Sequence, residues 1–279
     1  VGLWASLPLT VQAETWPATG SYQFDGWEGP ALTVFYSVPP QSTADSPILI
    51  VIPGARRDAR EYRDDWDSLA TANRLITLVV GADLADFPTE YDYNAGGVVT
   101  AQGVPRPRSR RLYSAIEPLF EDFTRRFGSR RSSYALYGHS AGGQFAHTFR
   151  LFEPTARVDR VVAANPAFCM LPDHGPAYPF GLGGVTVSDE ALKHWLTHPL
   201  VVLLGDRDLD PRTKPLSNGP EARLQGPHVF ARGLGFYRSA LAAASVREIT
   251  LGWKLEVVHN VGHSNRQMAS HAVKYLVPH

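Results

Sequence analysis

Cysteine is almost absent from this 279-residue chain. Its single cysteine, Cys169, excludes an intramolecular disulfide and any cysteine-rich metal site. The surrounding "NPAFCMLPD" offers no nucleophile motif, so Cys169 reads as a buried, inert thiol. Net charge is absent too. The 27 basic and 27 acidic residues cancel, so no global field draws the chain to nucleic acid or an anionic membrane. Lysine is scarce, with four residues against 23 arginines. Genome composition is a sufficient cause, and anion recognition is the sharper alternative. No stretch beyond the N-terminus reaches the run of about 18 apolar residues that spans a membrane. Internal repeats, low-complexity tracts and metal-ligand spacings are missing as well, so neither a metal nor a cofactor is expected.

What is present describes an ordinary globular protein, 44% hydrophobic and 19% charged, long enough for one large core or two small ones. The opening "VGLWASLPLTVQAETW" is apolar, with Val11 and Ala13 at the −3 and −1 positions of a cleavage before Glu14. It resembles the end of a secretory signal peptide, the alternative being an apolar arm packed on the body. Residues 1–13 are therefore expected to be a signal-peptide remnant, and the protein secreted or periplasmic. No linker divides residues 14–279, which are expected to form one domain.

Short β-rich runs alternate with helical patterns. "ALTVFYSV" (31–38) alternates like an antiparallel strand and pairs with the preceding "SYQFDGW". "PILIVIPG" (47–54) is a continuous apolar run ended by Pro-Gly, as expected of a strand buried on both faces. Residues 75–83, 133–140, 158–166, 198–206 and 253–263 repeat that form. Helices are expected over 110–127, 141–152, 234–245 and 264–276. This order predicts an α/β fold: a mostly parallel sheet with helices on both faces and an antiparallel N-terminal edge. Two long Gly/Pro-rich segments, 84–109 and 166–190, interrupt the alternation and read as functional loops. In such a sheet, loops at the C-terminal strand ends surround the active site.

One of those strand ends carries "YGHSAGG", with Ser140 between Gly138 and Gly142. A lone Gly-x-Ser-x-Gly arises by chance in about one chain in ten of this length. Here it follows a strand and opens a helix, the context in which a tight turn lifts a serine to the sheet tip. In that context the chain resembles the α/β-hydrolase superfamily, whose nucleophile elbow has this form. Capping of the helix by the serine is the bland alternative.

A serine hydroxyl needs a base, and the base needs orienting. The resemblance implies an acid after a later strand and then a histidine near the end. "VVLLGDRDLDP" offers Asp206, Asp208 and Asp210. The family's Gly-x-x-Asp turn, counted from Gly205, selects Asp208, with Asp206 as runner-up and Asp210 as a turn residue. "VVHNVGHSN" offers His259 and His263, and the family position before the last helix selects His263. His139, adjacent to Ser140, is expected to point elsewhere. The oxyanion donors implied are the Ala141 amide and, from "VIPGARRDA", the Ala55 amide, with Arg56 N–H as the alternative.

The same loop carries Arg56, Arg57, Arg60 and Arg63, and "RPRSRR" adds Arg106, Arg108, Arg110 and Arg111. Guanidinium pairs bind carboxylates, so Arg56, Arg57 and Arg60 are candidate substrate-binding residues, against the alternative of arginines paired to nearby acids. The run from Gly54 to Trp66, with "YPFGLGG" (178–184), is similar to secreted bacterial depolymerase-type hydrolases. These include poly(3-hydroxybutyrate) depolymerase-like proteins and poly(aspartic acid) hydrolases. That likeness implies a secreted serine hydrolase cleaving amide or ester bonds through an acyl-enzyme, with an anionic polymer such as poly(aspartic acid) as substrate. The alternative is a carboxylesterase or polyester depolymerase acting on neutral, polymeric or small esters. A catalytically silent binding protein on the same fold is disfavoured, because all three expected residues are kept.

Overall fold

A computed structural model describes residues 16–278, and the expected signal-peptide segment, 1–13, lies outside them. Eight strands among the described residues build one sheet. They are β1 (Thr19–Phe24), β2 (Leu32–Ser37), β3 (Ile48–Ile52), β4 (Ile76–Gly81), β5 (Tyr134–His139), β6 (Val158–Ala164), β7 (Leu200–Gly205) and β8 (Trp253–Val258). Their spatial order is β1-β2-β4-β3-β5-β6-β7-β8. The first two pairings, β1 with β2 and β2 with β4, are antiparallel, and every later one is parallel. The expected α/β-hydrolase architecture with an antiparallel N-terminal edge is what the chain adopts.

Alternation along the strands sets the two cores. Ile48, Ile50 and Ile52 of β3 join one apolar cluster, whereas Leu49 and Val51 join the other. The first cluster reaches α2 (Ile116–Phe127), α3 (Ala141–Phe152), α4 (Asp189–Thr197) and α7 (Val229–Val246) through residues such as Phe120, Phe145, Trp195 and Phe236. The second packs α1 (Ala59–Asn73) and α8 (Asn265–Leu276) through Trp66 and Met268. Both faces of the sheet are thereby dry, which explains why its central strands read as unbroken apolar runs.

The helix boundaries differ from expectation in physically instructive ways. The helix expected from 110 begins at Ile116, after two 3₁₀ turns at Arg108–Arg110 and Leu112–Ala115. Pro118 lacks an amide hydrogen and is tolerated only in a first helical turn, which places the start close by. Helix α7 extends from Val229, five residues before the expected start, through a segment whose Gly233 and Gly235 weaken the helical pattern. Helix α1 carries a buried stripe of Ala59, Tyr62, Trp66 and Ala70 on a strongly charged background, and its cap is the Asp58 carboxylate accepting from the Glu61 amide. The short helices α5 (Pro215–Asn218) and α6 (Pro220–Gln225) are too brief to leave a periodic signal. No helix among the described residues is long and apolar enough to cross a membrane.

Candidate active site

Ser140 stands in the turn between β5 and α3 with φ 58° and ψ −116°, a left-handed conformation that costs a non-glycine residue energy. The turn is held closed from both sides. A Cβ on Gly138 would collide with the Gly142 carbonyl, and one on Gly142 with the Ile52 carbonyl. Both glycines are therefore required by close backbone approach. The Ser140 amide donates to Ala164 O at 3.0 Å, which ties the elbow to the end of β6.

Sheet register brings the other chain segments to this point. Ile52 pairs with Gly138, so the loop leaving β3 passes beside the serine. Gly205 pairs with Val258, so the loops carrying Asp208 and His263 emerge side by side. Asn165, fully buried at the end of β6, accepts from the Gly205 amide at 2.8 Å and donates to Gly262 O at 3.0 Å. It fixes both loops relative to the elbow.

Ser140, His263 and Asp208 meet in one hydrogen-bonded chain. His263 Nε2 lies 2.8 Å from Ser140 Oγ, and Nδ1 lies 2.5 Å from Asp208 Oδ2. The Asp208 side chain is wholly buried, whereas His263 remains about a quarter exposed. The runner-up residues pair with each other instead. His259 Nδ1 sits 3.1 Å from Asp206 Oδ2, and the Asn260 amide donates to Asp206 Oδ1 at 2.7 Å. The His259 contact, aided by that amide, holds the Asp206 carboxyl below the usual range. Neither residue contacts Ser140.

His139 departs from the expectation that it points away from the site. Its ring centroid lies 4.7 Å from that of His263, with the planes tilted by 45°. Tyr62 from α1, seated against Gly54, brings its hydroxyl to His139 Nδ1 at 2.9 Å. Burial pushes the phenol up, so it stays neutral and shares one hydrogen bond with the ring, whose direction follows the His139 tautomer. Burial first, then His263 and Arg212, hold the His139 imidazole well below its ordinary value. A neutral ring thus backs His263. Sequence gave no signal for it beyond adjacency to Ser140.

The Ala55 and Ala141 amides, the expected oxyanion donors, both border the cavity in front of Ser140 and have no hydrogen-bond partner among the described residues. Ala141 is the first residue of α3, where amides point outward and the helix dipole favours negative charge. The cavity is about 670 Å³, ample for a chain segment or small ester, and its wall includes Arg56, Arg212, Lys214 and Arg266.

The candidate substrate arginines divide. Arg56 lines this cavity; Arg57 and Arg60 do not, and line a neighbouring one of about 400 Å³ that Arg56 also borders. Arg57 instead straps the 84–109 segment to the β3 loop. Its guanidinium donates to the Phe87 carbonyl and, at 3.3–3.4 Å, to Asp83 and Thr89, and stacks 4.4 Å over Tyr93. Arg60 lies 5.8 Å over the Phe35 ring. Three of the four arginines of the second cluster are likewise bonded within the fold. Arg106 pairs with Asp92, Arg108 with Glu153, and Arg111 donates to the Arg106 carbonyl at 3.0 Å. Sequence could not separate strap from subsite, because the partners are mostly backbone carbonyls and acids distant in the chain.

Comparison with known proteins identifies the class first. The chain is similar to poly(aspartic acid) hydrolase-1 from Sphingomonas sp. KT-1, with 41% identity and a TM-score of 0.90 over 93% of this chain and 98% of that one. It is also similar to LpqC, a poly(3-hydroxybutyrate) depolymerase from Bordetella parapertussis, with 30% identity and a TM-score of 0.86 over 94% and 90%. An S-formylglutathione hydrolase from Agrobacterium tumefaciens, 18% identical with a TM-score of 0.56 over 95% and 99%, shares the fold. No protein-family model and no curated protein sequence matches the chain. The chain belongs to the α/β-hydrolase superfamily of serine hydrolases, and within it to the depolymerase-type family of the two bacterial proteins above.

Proposed function

We propose that this serine hydrolase is an exported enzyme that cleaves ester or amide bonds of an anionic polymer such as poly(aspartic acid), with Ser140, His263 and Asp208 as its triad. The observation that carries the reading is the continuous hydrogen-bonded chain at 2.8 and 2.5 Å opening on the cavity. His263 Nδ1–H donates a hydrogen bond to the Asp208 carboxylate, which leaves the Nε2 lone pair for Ser140. As Ser140 Oγ bonds the carbonyl carbon, its proton passes to Nε2, and the oxyanion accepts from the Ala55 and Ala141 amides. Collapse breaks the scissile bond, and the departing alcohol or amine takes the Nε2 proton. Water, deprotonated by His263, then attacks the acyl-enzyme and releases the acid with Ser140 restored.

An anionic substrate is supported by how the charges around the cavity are used. Its acids are engaged: Asp58 with the Glu61 amide at 3.0 Å, Glu61 with Arg56 at 3.6 Å, Asp65 with Arg266 at 2.7 Å, and Glu90 with the Leu216 amide at 2.9 Å. Lys214 is exposed and has Glu90 as its charged neighbour, without a contact close enough to be an ion pair. The apolar opening with Val11 and Ala13 supports export. A second reading, a carboxylesterase or polyester depolymerase, is favoured by the equal numbers of acidic and basic side chains in the cavity wall. Turnover of poly(aspartate), hydroxybutyrate oligomers and short neutral esters by the wild type and Ser140→Ala separates the readings. Poly(aspartate) cleavage that disappears in Ser140→Ala is the expected result. Cleavage of neutral esters alone favours the second reading.

A further inference from the structure

Arg212 stands between the buried acid and the cavity. Its Nη2 donates to Asp208 Oδ1 at 3.1 Å, the carboxylate oxygen that His263 leaves free. Nη2 and Nε also reach the Asp210 carbonyl, at 3.0 and 3.3 Å. The Arg212 side chain is 15% exposed and forms part of the cavity wall. Its Nη1 has no hydrogen-bond partner among the described residues. A planar guanidinium is rigid, so a restraint on one amino group orients the other.

The other charged or titratable groups near the Asp208–His263 pair are committed elsewhere. Arg232 from α7 donates to the carbonyls of Gly226, Ala167 and Ser217. Asp65 from α1 is held by Arg266 and Asn265, both at the start of α8. His139 at the end of β5 is buried and held neutral. Of these groups and Arg212, Arg212 alone bonds Asp208 while also facing the cavity.

We propose that Arg212 is a shared guanidinium: Nη2 is the positioning group for Asp208, and Nη1 receives a carboxylate of the bound substrate. An anionic substrate then stiffens the Asp208–His263–Ser140 chain as it binds, so its carboxylate contributes to kcat as well as to KM. The carboxylate half rests on the anionic-substrate reading above, and the positioning half does not.

The test uses two aryl esters with the same leaving group, a neutral butyrate and a hemisuccinate that carries one carboxylate. Arg212→Gln is expected to lower kcat on the neutral ester by about 10- to 100-fold through a loosened acid. On the hemisuccinate it should also raise KM by roughly tenfold or more, an effect absent from the butyrate. Arg212→Lys should restore most of kcat on both esters but not the hemisuccinate KM, because a point charge lacks the paired geometry. Thermal unfolding accompanies each variant, and the lysine variant carries the test if the glutamine one does not fold. Unchanged kcat on the butyrate in Arg212→Gln would overturn the positioning role. Equal KM changes on both esters would overturn the carboxylate role. A wild type with no preference for the hemisuccinate, alongside an intact kcat loss in Arg212→Gln, would refute the anionic-substrate reading and the carboxylate half with it, and support the positioning half.

Discussion

His147 makes the fold sensitive to acid in a way that can be worked out from its surroundings. It lies in α3 two turns after Ser140, 2% exposed, with Nδ1 2.9 Å from Gly143 O and Nε2 accepting from the Met170 amide at 3.0 Å. That arrangement satisfies only the neutral ring, because a proton on Nε2 would face the Met170 N–H. Burial accordingly lowers the His147 imidazole from 6.5 to about 4, against a smaller opposing effect of the Gly143 carbonyl. The sign follows from which state binds the proton. Below about 6.5 the unfolded chain protonates this residue, while the folded chain does not until about 4. Stability is therefore present at neutral pH and falls as pH drops through that window, by up to ~1.4 kcal/mol per pH unit and roughly 3 kcal/mol in all. His198, lowered to about 4 by burial first and Arg150 next, and His139 add to the same slope in the wild type. The comparison is with His147→Gln, whose amide oxygen can still accept from Met170. Urea unfolding followed by tryptophan fluorescence suits it, since Trp195 Nε1 donates to the His147 carbonyl at 2.6 Å. The variant should be less stable at pH 7 by about 1–3 kcal/mol but lose ~2 kcal/mol less than the wild type between pH 7 and 5. Equal losses in the two proteins would refute the assignment of a buried neutral imidazole.

Four further outcomes follow from the same geometry. Asp208→Asn should cut kcat by about 10⁴-fold through the wrong His263 tautomer, whereas Asp206→Asn, whose partners are His259, Asn260 and Arg207, should leave turnover within about twofold in steady-state assays. Tyr62→Phe removes the hydroxyl that holds His139, and should lower kcat with little change in KM and cost about 1–3 kcal/mol in denaturant unfolding. Gly142→Ala forces a Cβ into the Ile52 carbonyl and should cost several kcal/mol, roughly 3 or more, by thermal or denaturant unfolding. Arg57→Ala should lower stability and raise KM alike for charged and neutral substrates, because it unstraps the 84–109 segment; a rise confined to anionic substrates would return Arg57 to substrate binding.

The legible parts of this protein were those fixed by local chemistry or by alternation along the chain. Ser140 announces itself because two glycines must flank so tight a turn. The parallel sheet shows in unbroken apolar runs such as "ILIVI", whose alternate residues enter opposite cores. Asp208 and His263 were picked out of three aspartates and two histidines only by the resemblance to the α/β-hydrolase pattern, and the structure brings both to Ser140. Hidden were the residues whose meaning depends on two loops meeting. Asn165 looks like any strand-end asparagine until Gly205 and Gly262 arrive beside it. Arg212 is one arginine among 23, distinguished only by the buried carboxylate four residues earlier. Arg57 was read for its charge, yet burial and a ring of carbonyls define its place. The helix over Ala59–Asn73 was obscured by the charged residues that made the same segment interesting for substrate.

The central claim is that Ser140 is the nucleophile and His263 its base. The most direct measurement is covalent labelling of the folded enzyme with a fluorophosphonate, followed by peptide mass analysis. One equivalent of phosphonate should attach to the peptide holding Ser140, with loss of esterase activity in proportion. Labelling should vanish in Ser140→Ala and slow by several orders of magnitude in His263→Ala. Stoichiometric label on another residue, or inactivation of Ser140→Ala at the wild-type rate, would contradict the account.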